Sequence, residues 1–600
     1  MKKRNEVDIK ETWKLEDLYP NDQAFYKDLE KVENLSEDFY QKYLDLGDEP
    51  ERIFKAIEEY SDICGLISNL GTFASISTEV DTTNPDLGKR YQAYMGRIAE
   101  VYAKLSFFTS SLAKIDKEIL DEISKNHKDY AYYISLIEKK GDHLLSDQTE
   151  EVLAKLAPTF DAPYTNYSDI RYGDIEVEPI EVDGEKIEIN HNSFEEFLEA
   201  DTHTEKRRKA FKAYHDALRR HQASTGSVYN TQVNNEKIIS KFRGYDSVFD
   251  YLLDFQDIDR KVYDKHIDTI MEELAPHMRK YAGIIKKLYK LDKMTYADLK
   301  LNIDPDYEPE VSIEKAEELI LDGLSVLGED YGEILKKAFS DRWIDYAQNI
   351  GKRTGAFAAS PYKSHPFIMT TYNNQMSQVM TLAHELGHAG HFYLANAAQA
   401  CVNTDVSMYF VESPSTTNEI IMERYLLNKA EDDRQKLWVL STMISKTYYH
   451  NFVTHFLEAA YQREVYRLID EGKSVGSEDL NRIFKDQLEK FWGDSVELVD
   501  GAELTWMRQP HYYMGLYPYT YSAGLTIGTM VSDKVVNGSQ ADRENWLEVL
   551  KAGSTLGPMD LAKKAGVDMT DTKALSEAIA FIGSIIDQID DLCEKLGMYK

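Results

Sequence analysis

Residues 381 to 392 read Thr-Leu-Ala-His384-Glu385-Leu-Gly-His388-Ala-Gly-His391-Phe. Histidines at i and i+4 leave one face of a helix a single turn apart, so two imidazole nitrogens can converge on one ion. The glutamate between them can reach a water on that ion and take its proton. With 15 histidines in 600 residues, and every acidic residue counted as Glu, His-Glu-x-x-His arises by chance at most about 0.07 times in this chain. Imidazole with carboxylate suits zinc, and a catalytic zinc needs a third protein ligand with one position left open. The carboxylates next in line are Asp405, Glu412, Glu419 and Glu423. Glu412 is preferred, because Pro414 marks a helix start and a ligand on the first turn of a packed helix is held rigidly. On spacing alone Glu419 stays open, either as that ligand or as the partner of a ligand histidine. His391, at i+3 from His388, is expected to be structural.

These residues need a rigid scaffold, and the sequence provides a helical one. Only 15 prolines and 31 glycines interrupt 600 residues, and apolar residues recur at three and four residue spacing. The run from Asn373 to about Ala398 lacks proline and predicts the buried helix that carries the motif. Amphipathic stretches from Glu51 to Leu70 and from Leu87 to Ser111 predict a helical N-terminal lobe. Residues 179 to 190 alternate about Asp183-Gly184, which predicts a hairpin. Ser193 with Glu196, and Thr202 with Glu205, predict two helix starts. Short strands are expected at Trp343 to Ala347, Gly355 to Ser360 and Pro366 to Tyr372, as a small antiparallel patch just before the metal helix. The last of these is expected to pair with the main chain of a bound peptide. The lobes divide near residue 200: residues 1–200 form an N-terminal helical lobe ending in the hairpin, and residues 201–600 a catalytic lobe.

Composition limits the partners. Seventy basic against 104 acidic residues give a net charge of −34, which repels nucleic acid and anionic membrane surfaces. Three scattered cysteines give neither a disulfide framework nor a Cys-x-x-Cys zinc site. No apolar run follows the basic start MKKRNEVDIK, and none reaches 18 residues, so a cytoplasmic protein is expected. Nothing in the sequence separates a monomer from a homo-oligomer.

His384-Glu-Leu-Gly-His388 together with Phe410-Val-Glu412-Ser-Pro-Ser resembles the thimet oligopeptidase family of zinc metallopeptidases. The alternating segment 179–190, Gly351 to Phe357, and the Tyr-rich run from His511 to Gly524 are similar to its oligoendopeptidase F branch. The resemblance spans most of the chain, most strongly about 200 to 590. It implies a mainly α, two-lobed, zincin-type body with a deep central channel, one zinc per chain, and cleavage of internal bonds in short peptides. It implies Glu412 as the third ligand. It also implies that His511 and one or more of Tyr517, Tyr519 and Tyr521 bind substrate and steady the developing oxyanion. This branch departs from the family's usual Gly-Tyr-Asp form, so the oxyanion tyrosine is not fixed. Two other functions compete: a dipeptidyl carboxypeptidase using the same metal chemistry, and a non-catalytic peptide-binding protein with a structural zinc. The second sits poorly with an intact Glu385 and with the absence of cysteine ligands.

Overall fold

The computed structural model describes residues 2–600. The chain is 71% helical. Among the described residues, no helix is long and apolar enough to cross a membrane.

The chain folds as two compact units. The first comprises Met1–Leu144, Pro309–Met422 and Gly528–Val567; the second comprises Leu145–Glu308, Glu423–Ile527 and Asp568–Lys600. The expected boundary near residue 200 falls inside the second unit. Of the five places where the chain changes unit, two lie inside uninterrupted helices, Glu412–Lys429 and Tyr519–Asn537. A continuous helical register leaves no linker composition to read.

In the first unit, helices Asp22–Tyr43, Pro50–Glu79 and Pro85–Leu112 share one core. Phe25, Leu29 and Val32 of the first, Ile53, Ile57 and Leu70 of the second, and Ile98, Leu105 and Phe108 of the third are buried in it. Their three and four residue spacing is the apolar stripe that a helix turns inward. Asn21 and Asn84 cap the first and third helices by accepting from the backbone amides of Ala24 and Asp86, and Pro50 and Pro85 start their helices where no amide partner is needed.

The strand patch also belongs to this unit. We number the chain's strands β1 Ile180–Val182, β2 Glu185–Ile187, β3 Ile344–Asp345, β4 Phe357–Ala359 and β5 Phe367–Met369. The sheet order is β3-β5-β4, with β4 antiparallel and β3 parallel to β5. Because β5 is central, both of its edges are taken, so it cannot add a peptide strand as the sequence suggested. The outer side of β3 is covered by the N-terminal segment: the Glu11 carbonyl accepts from the amides of Tyr346 and Ala347 just beyond the strand. The outer edge of β4 has no strand partner among the described residues.

In the second unit, β1 and β2 pair antiparallel, with Val182 opposite Glu185. Asp183 (φ 53°) and Gly184 (φ 82°) both take the left-handed conformation that a two-residue turn requires. The 39-residue helix Thr204–Phe242 is capped one residue later than the Thr202 cap expected: His203 caps it, its ring Nδ1 accepting from the Lys206 amide at 3.2 Å. The other expected start falls within helix His191–Glu199, and the Glu196 side chain lies outside the described residues.

Burial pushes several histidines down, among them His215 to about 4, and His266 and His391 to about 3. Unfolded, each titrates near 6.5. Below that pH the unfolded chain therefore binds more protons, and stability is lost as pH falls from about 6.5 toward those values, with a limiting slope of about 1.4 kcal/mol per pH unit for each histidine. His215 stacks on Phe211 with 3.9 Å between ring centroids. His215→Phe is expected to flatten the dependence of the guanidinium midpoint on pH between 6.5 and 5. An unchanged slope would contradict this assignment.

Candidate active site

The Met376–Ala398 helix follows β5 through a short turn in which Asn374 takes a positive φ of 62°. The Asn374 carbonyl accepts from the Val311 amide at 2.8 Å, and the Met376 amide donates to Pro309 at 2.9 Å. Val379, Leu382, Ala383, Leu386 and Ala389 anchor one face. His384 and His388 keep partial exposure one turn apart, and Glu385 is buried.

The Glu412–Lys429 helix crosses this one closely at Gly387. A Cβ there would come within 2.6 Å of both the Pro414 carbonyl oxygen and the Ser415 Cα, so only glycine lets the two backbones meet. The first turns of the crossing helix, Ser413 to Asn418, are polar yet buried. Their hydroxyls donate back along the helix, Thr416 to the Glu412 carbonyl at 2.6 Å and Thr417 to Ser413 at 2.7 Å. Back-bonding of this kind satisfies small polar side chains where no water reaches. Asn418 donates to the Tyr331 hydroxyl at 3.0 Å. The helix start is fixed from several sides, and Glu412 stands on its first turn.

Three ligand atoms converge as a result. His384, His388 and Glu412 each offer one within 4.8 Å of the others. The Glu412 Oε2 lies 3.4 Å from His384 Nε2 and 3.3 Å from His388 Nε2. A tetrahedral zinc with bonds of 2.0–2.1 Å has ligand-to-ligand edges of about 3.3 Å, so the donor set fits that ion in chemistry and in span. Glu419 accepts from His384 Nδ1 at 2.9 Å, which turns Nε2 toward Glu412 and leaves it free of the Nδ1 proton. The serine hydroxyl of Ser415 donates to Glu412 Oε2 at 2.9 Å. Glu419 is thus a hydrogen-bond partner of His384, the geometry that one of the two roles left open by its spacing requires.

The charges agree with a cation site. Burial works against a charge on Glu412, yet the neighbouring His388 and His384 hold its carboxyl well below the usual carboxylate range. Burial likewise opposes protonation of His384, but its hydrogen bonds to Glu412 and Glu419 raise it well above an ordinary histidine. A metal ion held by these side chains would take the place of this proton, since imidazole and carboxylate ligands bind a metal deprotonated. Burial pushes the Glu385 carboxyl up, against the pull of His384 and His388. A carboxylate so placed accepts a proton more readily than an exposed one. His391 is fully buried, lies against the Phe410 ring and is kept neutral by burial, as the sequence suggested for a structural histidine.

The second unit holds another group of titratable side chains. The His511 ring lies 5.4 Å from Tyr517 and 5.5 Å from Tyr521, centroid to centroid. Tyr519 faces elsewhere: its hydroxyl donates to Gln256 at 2.7 Å and its ring packs edge-on against Tyr263 at 4.9 Å. On a helix, positions i and i+2 diverge, so Tyr519 and Tyr521 cannot share a face. The structure thereby separates Tyr519 from the expected set and keeps Tyr517 and Tyr521 beside His511.

Sequence reasoning missed His450, His455 and Glu458. His455 Nδ1 lies 2.8 Å from Glu458 Oε2, its Nε2 lies 2.9 Å from His450 Nε2, and its ring stacks on Tyr521 at 4.0 Å. Burial opposes charge on Glu458, but His455 and His511 bring its carboxyl down to about 2. The readable signal was the His455-x-x-Glu458 pair at helical i, i+3 spacing. The unreadable part was the π-helical stretch Met443–Thr454, which turns His450 and His455, five residues apart, toward each other.

A profile of peptidase family M3 matches residues 197–581, and one described as oligopeptidase F matches residues 112–176. Oligopeptidase PepF of Bacillus subtilis is 28% identical over 603 aligned residues, covering 99% of this chain and 89% of that protein. The oligoendopeptidase F homolog of Lactococcus lactis is 28% identical, covering 99% of each chain. Among solved structures, oligoendopeptidase-F from Enterococcus faecium superposes with a TM-score of 0.73 at 24% identity, covering 96% of this chain and 99% of that one. With the family profile matching most of its length, and the helix pair bearing His384, His388 and Glu412 in place, this chain belongs to peptidase family M3.

Proposed function

We propose that the protein is a zinc-dependent oligoendopeptidase that hydrolyses internal bonds of short peptides. The observation that carries this reading is the convergence of His384, His388 and Glu412 beside the buried Glu385. His384, His388 and Glu412 hold the zinc, and Glu419 orients His384. When bound, zinc supplies Lewis acidity toward the scissile carbonyl and lowers the pKa of water toward about 7.

Glu385 takes the proton of the attacking water and then delivers it to the leaving nitrogen. The unpartnered edge of β4 supplies main-chain donors and acceptors to an extended peptide, which makes recognition largely independent of side chains. His511, with Tyr517 and Tyr521, binds the substrate and donates hydrogen bonds to the oxyanion. A phenol is suited to this at neutral pH, since it keeps its proton up to about 10. Tyr519 is assigned to packing. His511→Ala is expected to lower kcat about 100-fold, in the range for loss of an oxyanion donor, with the zinc at His384 and His388 retained. Loss of that zinc in the variant would contradict the role given to His511.

The names of the relatives, oligopeptidase and oligoendopeptidase F, support internal cleavage over removal of dipeptides from a free C-terminus. Mass spectrometry of digests of a graded-length peptide library, each peptide made both with free ends and blocked at both ends, tests this. Internal fragments from blocked peptides are expected. Cleavage confined to peptides with a free C-terminus, two residues from it, would favour the dipeptidyl carboxypeptidase.

A further inference from the structure

We infer that Glu458 and His455 are positioning residues for the pair that meets the substrate: Glu458 orients the His511 ring, and His455 backs the Tyr521 ring. The inference rests on the substrate role proposed above for His511 and Tyr521. It gives a task to two buried ionisable side chains that the reaction itself does not use.

The sequence sets both on one face of one helix. His455 opens the helix His455–Asp470 and Glu458 follows at i+3, within its first turn. Both are almost wholly buried. His455 Nδ1 donates to Glu458 Oε2 at 2.8 Å, and its Nε2 meets the Nε2 of His450 at 2.9 Å, so the ring is tied at both nitrogens. A ring held in this way is a fixed wall for Tyr521, which stacks on it at 4.0 Å with 20° between the planes. His511 arrives from another element, the short helix Pro510–Tyr513, and its ring stands 4.7 Å from His455 at a steep angle.

The carboxylate oxygen that holds His455 also faces His511. His511 Nδ1 is buried with no hydrogen bond of its own, and Glu458 Oε2 lies 3.6 Å from it. That is just beyond hydrogen-bond length, and contacts of this kind in an active site are often long until substrate binds and tightens them. His455 and His511 keep the buried Glu458 carboxyl ionised, at about 2, so its oxygens accept and do not donate. The His511 nitrogen that faces it must then carry a hydrogen, and Nε2 is the polar atom the ring has left for a substrate. The backbone at His511 is fixed separately, because the next residue, Tyr512, is buried against Tyr229 at 5.5 Å and Tyr461 at 5.2 Å. Rotation of the His511 ring is the freedom that remains, and Glu458 stands where it can remove it. A substrate-binding group needs such backing to stay within about 0.5 Å of its productive place.

The test is a double-mutant cycle on the zinc-loaded full chain, with an internally quenched peptide blocked at both ends. Glu458→Gln is expected to lower kcat about 10-fold, with KM within about 2-fold of wild type and zinc content unchanged. In a His511→Ala background the same substitution should cost less than about 2-fold, because the ring it orients is gone. A merely structural role would not distinguish the backgrounds: equal losses in both, or no loss in either, overturn the inference while the peptidase reading stands. A wild type that leaves the peptide whole overturns that reading, and this inference with it. Should Glu458→Gln lose its native circular dichroism, Glu458→Asp takes its place, since it keeps the charge and draws the oxygen back by one methylene. A fall in kcat confined to chains that retain His511 is again the expected result, and equal falls with and without His511 again overturn the inference.

Discussion

Replacing Glu385 by Gln is expected to remove nearly all turnover while leaving the zinc in place. The substitution keeps the size of the side chain and its burial, and it touches none of the three ligand atoms near Glu412. What it removes is the proton-accepting carboxylate of Glu385, which burial pushes up. General-base catalysis is commonly worth about 100-fold to 10,000-fold, and a loss of that size in kcat at unchanged zinc content is the expected result. Ordinary activity against an internally quenched peptide would mean that another group takes the proton.

His388→Ala is expected to have the larger effect, because it removes the metal. Its Nε2 sits 3.3 Å from Glu412 Oε2, and among the described residues His384 is the other side chain of the Met376–Ala398 helix in the ligand group. His391, three residues on, cannot substitute; it is buried against Phe392 and Phe410. The variant should lose the catalytic zinc and fall to background cleavage. Glu419→Gln provides a graded comparison: it weakens the contact that orients His384 without deleting a ligand, so zinc affinity should drop about 10-fold to 100-fold. If His388→Ala retained both metal and activity, the ligand set would be misassigned.

Much of this site was legible because its signals are local. His-Glu-x-x-His depends on helical pitch alone, and the helix that carries it ends at Ala398 where the pattern predicts. Asp183-Gly184 specifies its hairpin through backbone conformation. Glu412 was legible as a residue on the first turn of a helix near Pro414. The means of holding it was less so, since a buried row from Ser413 to Asn418 reads as surface until the back-bonded hydroxyls are seen.

What could not be read depends on contacts distant in sequence. β3 is only two residues long and pairs parallel to β5, and a two-residue strand carries no periodicity from which to infer direction. The central place of β5, and so the open edge of β4, follows from that pairing. Two of the changes between units, after Met422 and after Ile527, occur inside helices and leave no linker to read. Tyr519 and Tyr521 look equivalent in a Tyr-rich run and are told apart by helical phase, which depends on where the helix begins.

The most direct test of the central proposal is cleavage of an internally quenched peptide, blocked at both ends, by the metal-stripped chain before and after zinc is restored. No cleavage is expected without metal, and zinc should bring back internal cleavage in wild type but not in Glu385→Gln. Full cleavage by the metal-stripped chain, or zinc-restored protein that leaves the blocked peptide intact, would contradict a zinc-dependent endopeptidase built on His384, Glu385, His388 and Glu412.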